Sequence, residues 1–172
     1  MIKPVIDPSA KIELVSASLE QQPILADLLE LYVHDFSEFH PIELGEDGGF
    51  RYPGLHLYWS ESTHLPFLIA IDDKFAGFAL VRKGSRLSGD PNVWDMAEFF
   101  VLREYRRCGA GTRIAHEAWR RFPGKWEVRV MQANVSAHEF WERAIAAFTG
   151  QAIHSSGFEK NGVSWRFFSF ES

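Results

Sequence analysis

The stretch that most constrains this chain is residues 96–112, Met96-Ala97-Glu98-Phe99-Phe100-Val101-Leu102-Arg103-Glu104-Tyr105-Arg106-Arg107-Cys108-Gly109-Ala110-Gly111-Thr112. An apolar strand pattern runs into a glycine-bearing turn. The turn runs into an amphipathic helix expected to begin near Gly111 and end at Phe122. Glycines allow positive φ and close approach of the backbone to a ligand, and the first N–H groups of a helix have no internal acceptor and lie at its positive end. Arg106, Arg107 and Arg113 add cationic donors around this turn, which suits an anion, and a pyrophosphate better than a carboxylate. A plain strand-to-helix connection with a solvated basic rim shares this composition, and the stretch alone leaves both readings open.

With 172 residues, 46% of them hydrophobic, the chain is long enough to bury one ordinary core, and a single domain over residues 1–172 is expected. A net charge of -5 argues against a broad surface for nucleic acid or an anionic membrane. No apolar run approaches the roughly 20 residues of a membrane span, and no basic-then-apolar leader opens the sequence, so the expected location is the cytoplasm. Cys108 is the only cysteine, which excludes an internal disulfide and a multi-thiolate metal site. Its place in the turn reads as packing, and a reactive thiol would require a low pKa. The seven histidines lack metal-ligand spacing, and no metal is expected. His116 and His138 read as solvated, whereas His34, His40 and His56 fall in the irregular region and stand as acceptor contacts.

Residues 11–16 alternate as a short strand. A helix follows, with Ser18 and Gln21 as a capping box and Ile24, Leu25, Leu28, Leu29 and Tyr32 on one apolar face; Pro23 blurs its start. From 34 to 62 glycines and prolines break the periodicity. Residues 66–71 and 75–81 are apolar runs of strand length separated by Asp72-Asp73-Lys74, an antiparallel hairpin. After a polar loop over 84–91, residues 93–102 form the strand of the opening stretch. The following helix presents Ala110, Ile114, Ala115, Ala118 and Phe122 inward until Pro123-Gly124 stops it. Residues 126–131 alternate as a strand. A last helix opens with Ser136-x-x-Glu139 as a capping box and closes at Gly150, and a strand pair turns around Asn161-Gly162. Short turns between consecutive strands favour an α+β fold with a mixed, mostly antiparallel sheet flanked by helices.

With these residues in place, the chain resembles the GNAT superfamily of acyl-CoA-dependent N-acyltransferases over nearly its whole length. Residues 98–111 look like that superfamily's coenzyme-A strand, turn and helix, including its Arg/Gln-x-x-Gly-x-Gly/Ala loop. Asn134-x-x-Ala137-x-x-Phe140-Trp141 is similar to its Asn-x-x-Ala-x-x-Phe-Tyr motif, and Phe75-Ala76-Gly77-Phe78 is a weaker echo. The resemblance implies acetyl-CoA as cosubstrate and an amine acceptor, with a homodimer left open. It implies that Arg106, Arg107, Cys108, Gly109, Ala110, Gly111 and Thr112 hold the pyrophosphate. It further implies that a bulged backbone N–H around Phe99, Phe100 and Val101 meets the thioester oxygen, that Asn134 meets the pantetheine arm, and that Trp141 lines the thioester channel. Two positions depart from the pattern: Trp141 replaces a tyrosine that protonates the leaving thiolate in many relatives, and Arg103 replaces a frequent proline. An indole N–H donates a hydrogen bond but supplies no proton.

An alkyl amine with a pKa near 10.4 must lose a proton before attacking a thioester. Glu98 interrupts an apolar strand beside the expected thioester site and is the candidate base, directly or through water. A purely structural strand carboxylate is the competing reading. The irregular region places Asp35, Glu38, Glu43, Glu46, Asp47 and Glu61 against Arg51, with Tyr52, Tyr58 and Trp59 between them, which suggests a cationic acceptor. A solvated acidic loop with core aromatics fits the same residues. The alternative to an enzyme is a catalytically silent acyl-CoA sensor or interaction module, the reading Trp141 favours. A purely structural domain is the third alternative, which the glycine turn disfavours.

Overall fold

A computed structural model describes residue 7 and residues 9–172 of the chain. The element order is β1 (Ile12–Ser16), α1 (Gln22–Phe36), α2 (Leu57–Ser60), β2 (His64–Ile71), β3 (Lys74–Lys83), β4 (Trp94–Val101), α3 (Ala110–Arg121), β5 (Lys125–Met131), α4 (Val135–Thr149), β6 (Ser156–Lys160) and β7 (Val163–Glu171). Among the described residues, no helix is long and apolar enough to cross a membrane.

The strands form one seven-stranded sheet in the order β1-β2-β3-β4-β5-β7-β6. Every neighbouring pair is antiparallel except β4 and β5, which are parallel and joined by the α3 crossover. The two hairpins turn where the sequence leads one to expect. Asp72 and Asp73 take φ of 47° and 63°, and Asn161 and Gly162 take 54° and 73°, the left-handed pair that two-residue hairpins require. The first hairpin is one residue tighter than the sequence spacing suggests, because Lys74 already belongs to β3.

Two apolar layers cover the sheet. On one face α3 and α4 bury Ile114, Trp119, Trp141 and Ile145 against Val81, Val128 and Phe168. On the other, Leu25, Leu29 and Tyr58 cover Leu68, Phe78, Leu80 and Phe100. Strand β3 contributes Ala79 and Val81 to the first layer and Phe78 and Leu80 to the second. Burial on both faces explains its unbroken apolar run, which a one-sided strand would not show.

The Ser18–Gln21 capping box forms, with Ser18 N–H donating to Gln21 Oε1 at 3.0 Å, but it caps a 3-10 turn over Leu19–Gln21 that leads into α1. Pro23 stands in the first turn, where its missing N–H costs nothing. The start of α4 differs from expectation. Its cap is Asn134, whose Oδ1 accepts from Ala137 N–H at 3.1 Å, so the cap lies two residues before the Ser136 expected to provide it. The two histidines read as solvated are both engaged. His116 Nε2 lies 2.8 Å from Ala144 O, and His138 Nε2 lies 2.8 Å from Ser155 Oγ with its ring on Phe168.

Candidate active site

The site starts from a gap in the sheet. Strands β4 and β5 pair only over Trp94–Met96 and Trp126–Val128. Beyond that, residues 97–101 of one strand and 129–131 of the other no longer pair with each other, and a cavity of about 280 Å³ opens between them. Ladder N–H and C=O groups along such a wedge are available to an extended ligand lying between the strands.

A bulge decides which face of the wedge carries which side chain. Leu80 pairs with Glu98 and the adjacent Val81 with Met96, so Ala97 is an extra residue in β4. Met96 and Phe99 consequently share the α3/α4 face, whereas Ala97 and Phe100 share the α1 face. Without the extra residue, period-two alternation would split each of these pairs. The irregularity therefore lies at Ala97 and not around Phe99–Val101, which pair in regular register with Ala79, Phe78 and Gly77. Gly77 is required at that crossing, because a Cβ there would collide with Phe100 O.

Glu98 reaches into the cavity from the α1 side. Its Oε2 accepts from Tyr32 Oη at 2.5 Å and its Oε1 from Tyr52 Oη at 2.9 Å. Burial pushes the Glu98 carboxyl above its usual range; the hydrogen bond from Tyr32, the charge of Arg86 and the hydrogen bond from Tyr52 oppose that rise without cancelling it. Burial and the neighbouring Glu98 charge push both tyrosines up, which keeps them as neutral donors.

At the other end lies the glycine turn. Arg107 and Gly109 adopt φ of 61° and 86°, and the first internal bond of α3 runs from Arg113 N–H to Gly109 O at 3.1 Å. The amides of Gly109, Ala110, Gly111 and Thr112 therefore belong to the unpaired first turn. Gly111 serves packing: a Cβ there would sit 3.2 Å from the Phe140 ring and 3.7 Å from Phe99. Phe99 stacks on Phe140 at 5.9 Å and meets Trp141 edge-on at 5.1 Å, an aromatic wall between the turn and the cavity that Trp141 also lines. Asn134 and Ala137 line the same cavity.

The expected pyrophosphate residues divide. Cys108 Sγ donates to Tyr105 O at 2.7 Å and packs on the core, in keeping with the packing reading. Arg106 turns to the other face: its Nε donates to Val101 O at 2.6 Å, its Nη2 to Asp35 at 2.8 Å, and its guanidinium lies 5.3 Å from the Phe100 ring. Arg107 and Arg113 are not fully buried and form no ion pair among the described residues. Phe100 packs its ring against Tyr32 and Phe78, and neither it nor Val101 lines the cavity.

The acidic segment is placed differently from the acceptor wall expected of it. Asp35 binds both Arg103 and Arg106, whose bonds hold its carboxyl below the ordinary range although partial burial opposes this. Asp47 binds Arg51. None of the six carboxylates lines the cavity; from that segment Phe36 and Tyr52 do, joined by Tyr32, Arg86, Arg129 and Trp165. Sequence reasoning missed Arg86 and Arg129 as site residues. The alternation of β5 held a signal for the second, since it puts Arg129 on the same face as the buried Glu127.

An open sheet split between two parallel strands, with a glycine turn and a helix start beside the split, is the arrangement of an acyl-CoA-dependent acetyltransferase. The sequence matches the acetyltransferase (GNAT) family over residues 25–146, and the chain belongs to that family. No curated protein matches it in sequence. Among solved structures it is similar to an acetyltransferase from Thermus thermophilus, with 13% identity, 94% of this chain and 97% of that one covered, and a TM-score of 0.68. An aminoglycoside acetyltransferase solved with coenzyme A gives 11% identity, coverage of 94% and 95%, and a TM-score of 0.68. A GNAT-family acetyltransferase from Listeria monocytogenes gives 14%, 94% and 95%, and 0.65. At these identities the likeness is one of fold.

Proposed function

We propose that this protein transfers an acetyl group from acetyl-CoA to a primary amine of a small molecule or a peptide, as one domain acting in the cytoplasm. The observation that carries the reading is Glu98, a carboxylate with a raised pKa, held by two tyrosine hydroxyls at the apex of the split between β4 and β5. The residues fit the cosubstrate: the first-turn amides from Gly109 to Thr112 suit a pyrophosphate, and the wedge walled by Phe99, Asn134 and Trp141 suits an extended arm. When bound, acetyl-CoA supplies an activated thioester.

Glu98 accepts a proton from the acceptor's ammonium group, directly or through one water, and its elevated pKa brings its basicity closer to what that transfer needs. Tyr32 and Tyr52 fix both carboxylate oxygens, so the base is held in one orientation. Backbone N–H groups of β4 beyond Met96, freed from pairing with β5, are the preformed donors for developing oxyanion charge. Phe99, Phe140 and Trp141 close the cavity toward α4 and limit water.

The finer reading of a cationic acceptor rests on long-range attraction by the acidic segment, since its carboxylates stand outside the cavity. A second reading, a catalytically silent acyl-CoA sensor or interaction module, is favoured by Trp141, which offers no acidic proton. The test is release of free coenzyme A from acetyl-CoA across a panel of amines, with Glu98→Gln as the control. Amine-dependent release that the variant loses supports transfer; tight acetyl-CoA binding without release for any amine supports the sensor.

A further inference from the structure

Besides Glu98, the cavity wall carries two guanidinium groups whose donors are only partly used. Arg86, from the loop after β3, and Arg129, from β5, both line it. Both lean on a single buried carboxylate oxygen, Asp95 Oδ2, at 2.9 Å from Arg86 Nε and 3.4 Å from Arg129 Nη2. The second distance is long for a charge-assisted bond, which normally falls near 2.7–2.9 Å. Arg86 has one further bond, to Ala97 O at 3.3 Å.

Arg129 is the less satisfied of the two. Its side chain is only 16% exposed, its Nε is buried without a partner, and the long contact to Asp95 is its one side-chain hydrogen bond among the described residues. A guanidinium carries five donors, and buried polar groups are as a rule paired. The other carboxylates nearby are committed: Glu127 takes the Ser85 hydroxyl, and Glu98 holds Tyr32 and Tyr52. The charged groups that line the cavity are thus two guanidiniums and the Glu98 carboxyl. Arg129 Nε is closed off from the cavity, but Nη1 of Arg129 and Nη1 of Arg86 have no partner among the described residues, and a planar anion in the cavity would meet these.

We infer that Arg86 and Arg129 form a carboxylate-binding subsite, so that the acceptor is an amine bearing its own carboxylate: amino group toward Glu98, carboxylate toward the two arginines. The inference rests on the reading of this cavity as the acceptor site. It differs from the cationic acceptor suggested by the acidic segment, because the cavity wall itself is richer in positive than in negative groups. The planar fork of arginine matches a carboxylate in two-point contact.

The test uses the full chain saturated with coenzyme A. Calorimetry compares the N-acetyl derivatives of glycine, β-alanine, leucine and glutamate with their carboxamides, and coenzyme A release compares the parent amines in the same pairs. At least one acid is expected to bind about 10-fold or more tightly than its carboxamide, in line with hydrogen bonds to a charged group. Arg129→Gln should erase that preference while coenzyme A affinity is kept, and Arg129→Lys should retain part of it. Should Arg129→Gln not fold, Arg129→Lys carries the comparison through a reduced preference. Equal affinity for every acid and its carboxamide, or a preference that survives at Arg129→Gln, overturns the subsite. Acid preference lost at Arg129→Gln without turnover of any amine keeps the subsite and removes acetyl transfer; turnover without acid preference does the reverse.

Discussion

Tyr32 Oη donates to Glu98 Oε2 at 2.5 Å, across 66 residues of sequence, and this bond joins α1 to the strand that carries the candidate base. It favours the ionised carboxylate and so works against the desolvation that raises the Glu98 pKa. Removing it, as in Tyr32→Phe, should raise that pKa further. The acid limb of the kcat/KM profile is expected to move to higher pH by roughly one to two units, since a hydrogen bond to a charged group is worth about 1.5–3 kcal/mol. Tyr52→Phe should move it the same way. A limb that stays in place in both variants would separate these tyrosines from the titration of the base.

Glu98→Gln tests catalysis and stability with opposite signs. The kcat is expected to drop by roughly 10²-fold or more with coenzyme A affinity nearly intact, because shape is kept and basicity is lost. A group whose folded pKa lies above its unfolded value contributes most below the unfolded pKa, and this contribution disappears as pH rises through the folded one. The wild-type protein therefore bears the cost of a buried carboxylate at neutral and alkaline pH. The Tm of Glu98→Gln relative to wild type should climb as pH rises from the ordinary carboxyl value of 4.5 through the raised folded one, by roughly 2–4 °C for each kcal/mol relieved. A difference that is flat or falls with pH removes the elevated pKa; full kcat at neutral pH assigns Glu98 to structure.

The strands, the two hairpins and the glycine turn were legible because each is written in adjacent residues. Alternation marks 126–131, the Asn161-Gly162 pair marks a turn, and 96–112 carries strand, turn and helix in one run. The bulge at Ala97 has no such local mark, since it exists only as a mismatch with β3, and it puts Glu98 on the sheet face where Tyr32 and Tyr52 reach it. The acceptor side was illegible for a related reason. Tyr32, Tyr52, Arg86 and Arg129 come from four separate segments and meet only once the sheet is assembled. Arg106 was misleading in the other direction: its spacing in the turn fits a pyrophosphate, but its side chain is held by Val101 O and Asp35.

The glycine turn should show two different sensitivities. Gly109 needs its left-handed φ of 86°, and nothing lies within 4 Å of a Cβ placed there, so Gly109→Val should fail through backbone strain. Gly111 has ordinary helical geometry but faces Phe140 at 3.2 Å, so Gly111→Val should fail by pushing the aromatic wall aside. Each is expected to weaken coenzyme A binding by about 10-fold or more, because the first-turn amides move. Calorimetry on both decides the matter, and unchanged affinity in the pair would remove the turn as the pyrophosphate site.

Trp141 is 6% exposed and packs against Phe99, Phe140 and Trp119 at ring separations of 5.1, 4.8 and 6.2 Å. If its part is to shape the wedge, Trp141→Phe should keep kcat within about 10-fold of wild type, since no acidic proton is lost with the indole. Stability should fall, because a ring smaller than indole leaves a gap in a close-packed wall, at a cost of about 1–2 kcal/mol. The two readouts must therefore part, with Tm lowered and turnover largely retained. A kcat loss of about 10³-fold with coenzyme A affinity unchanged would show instead that the indole N–H acts on the reacting atoms.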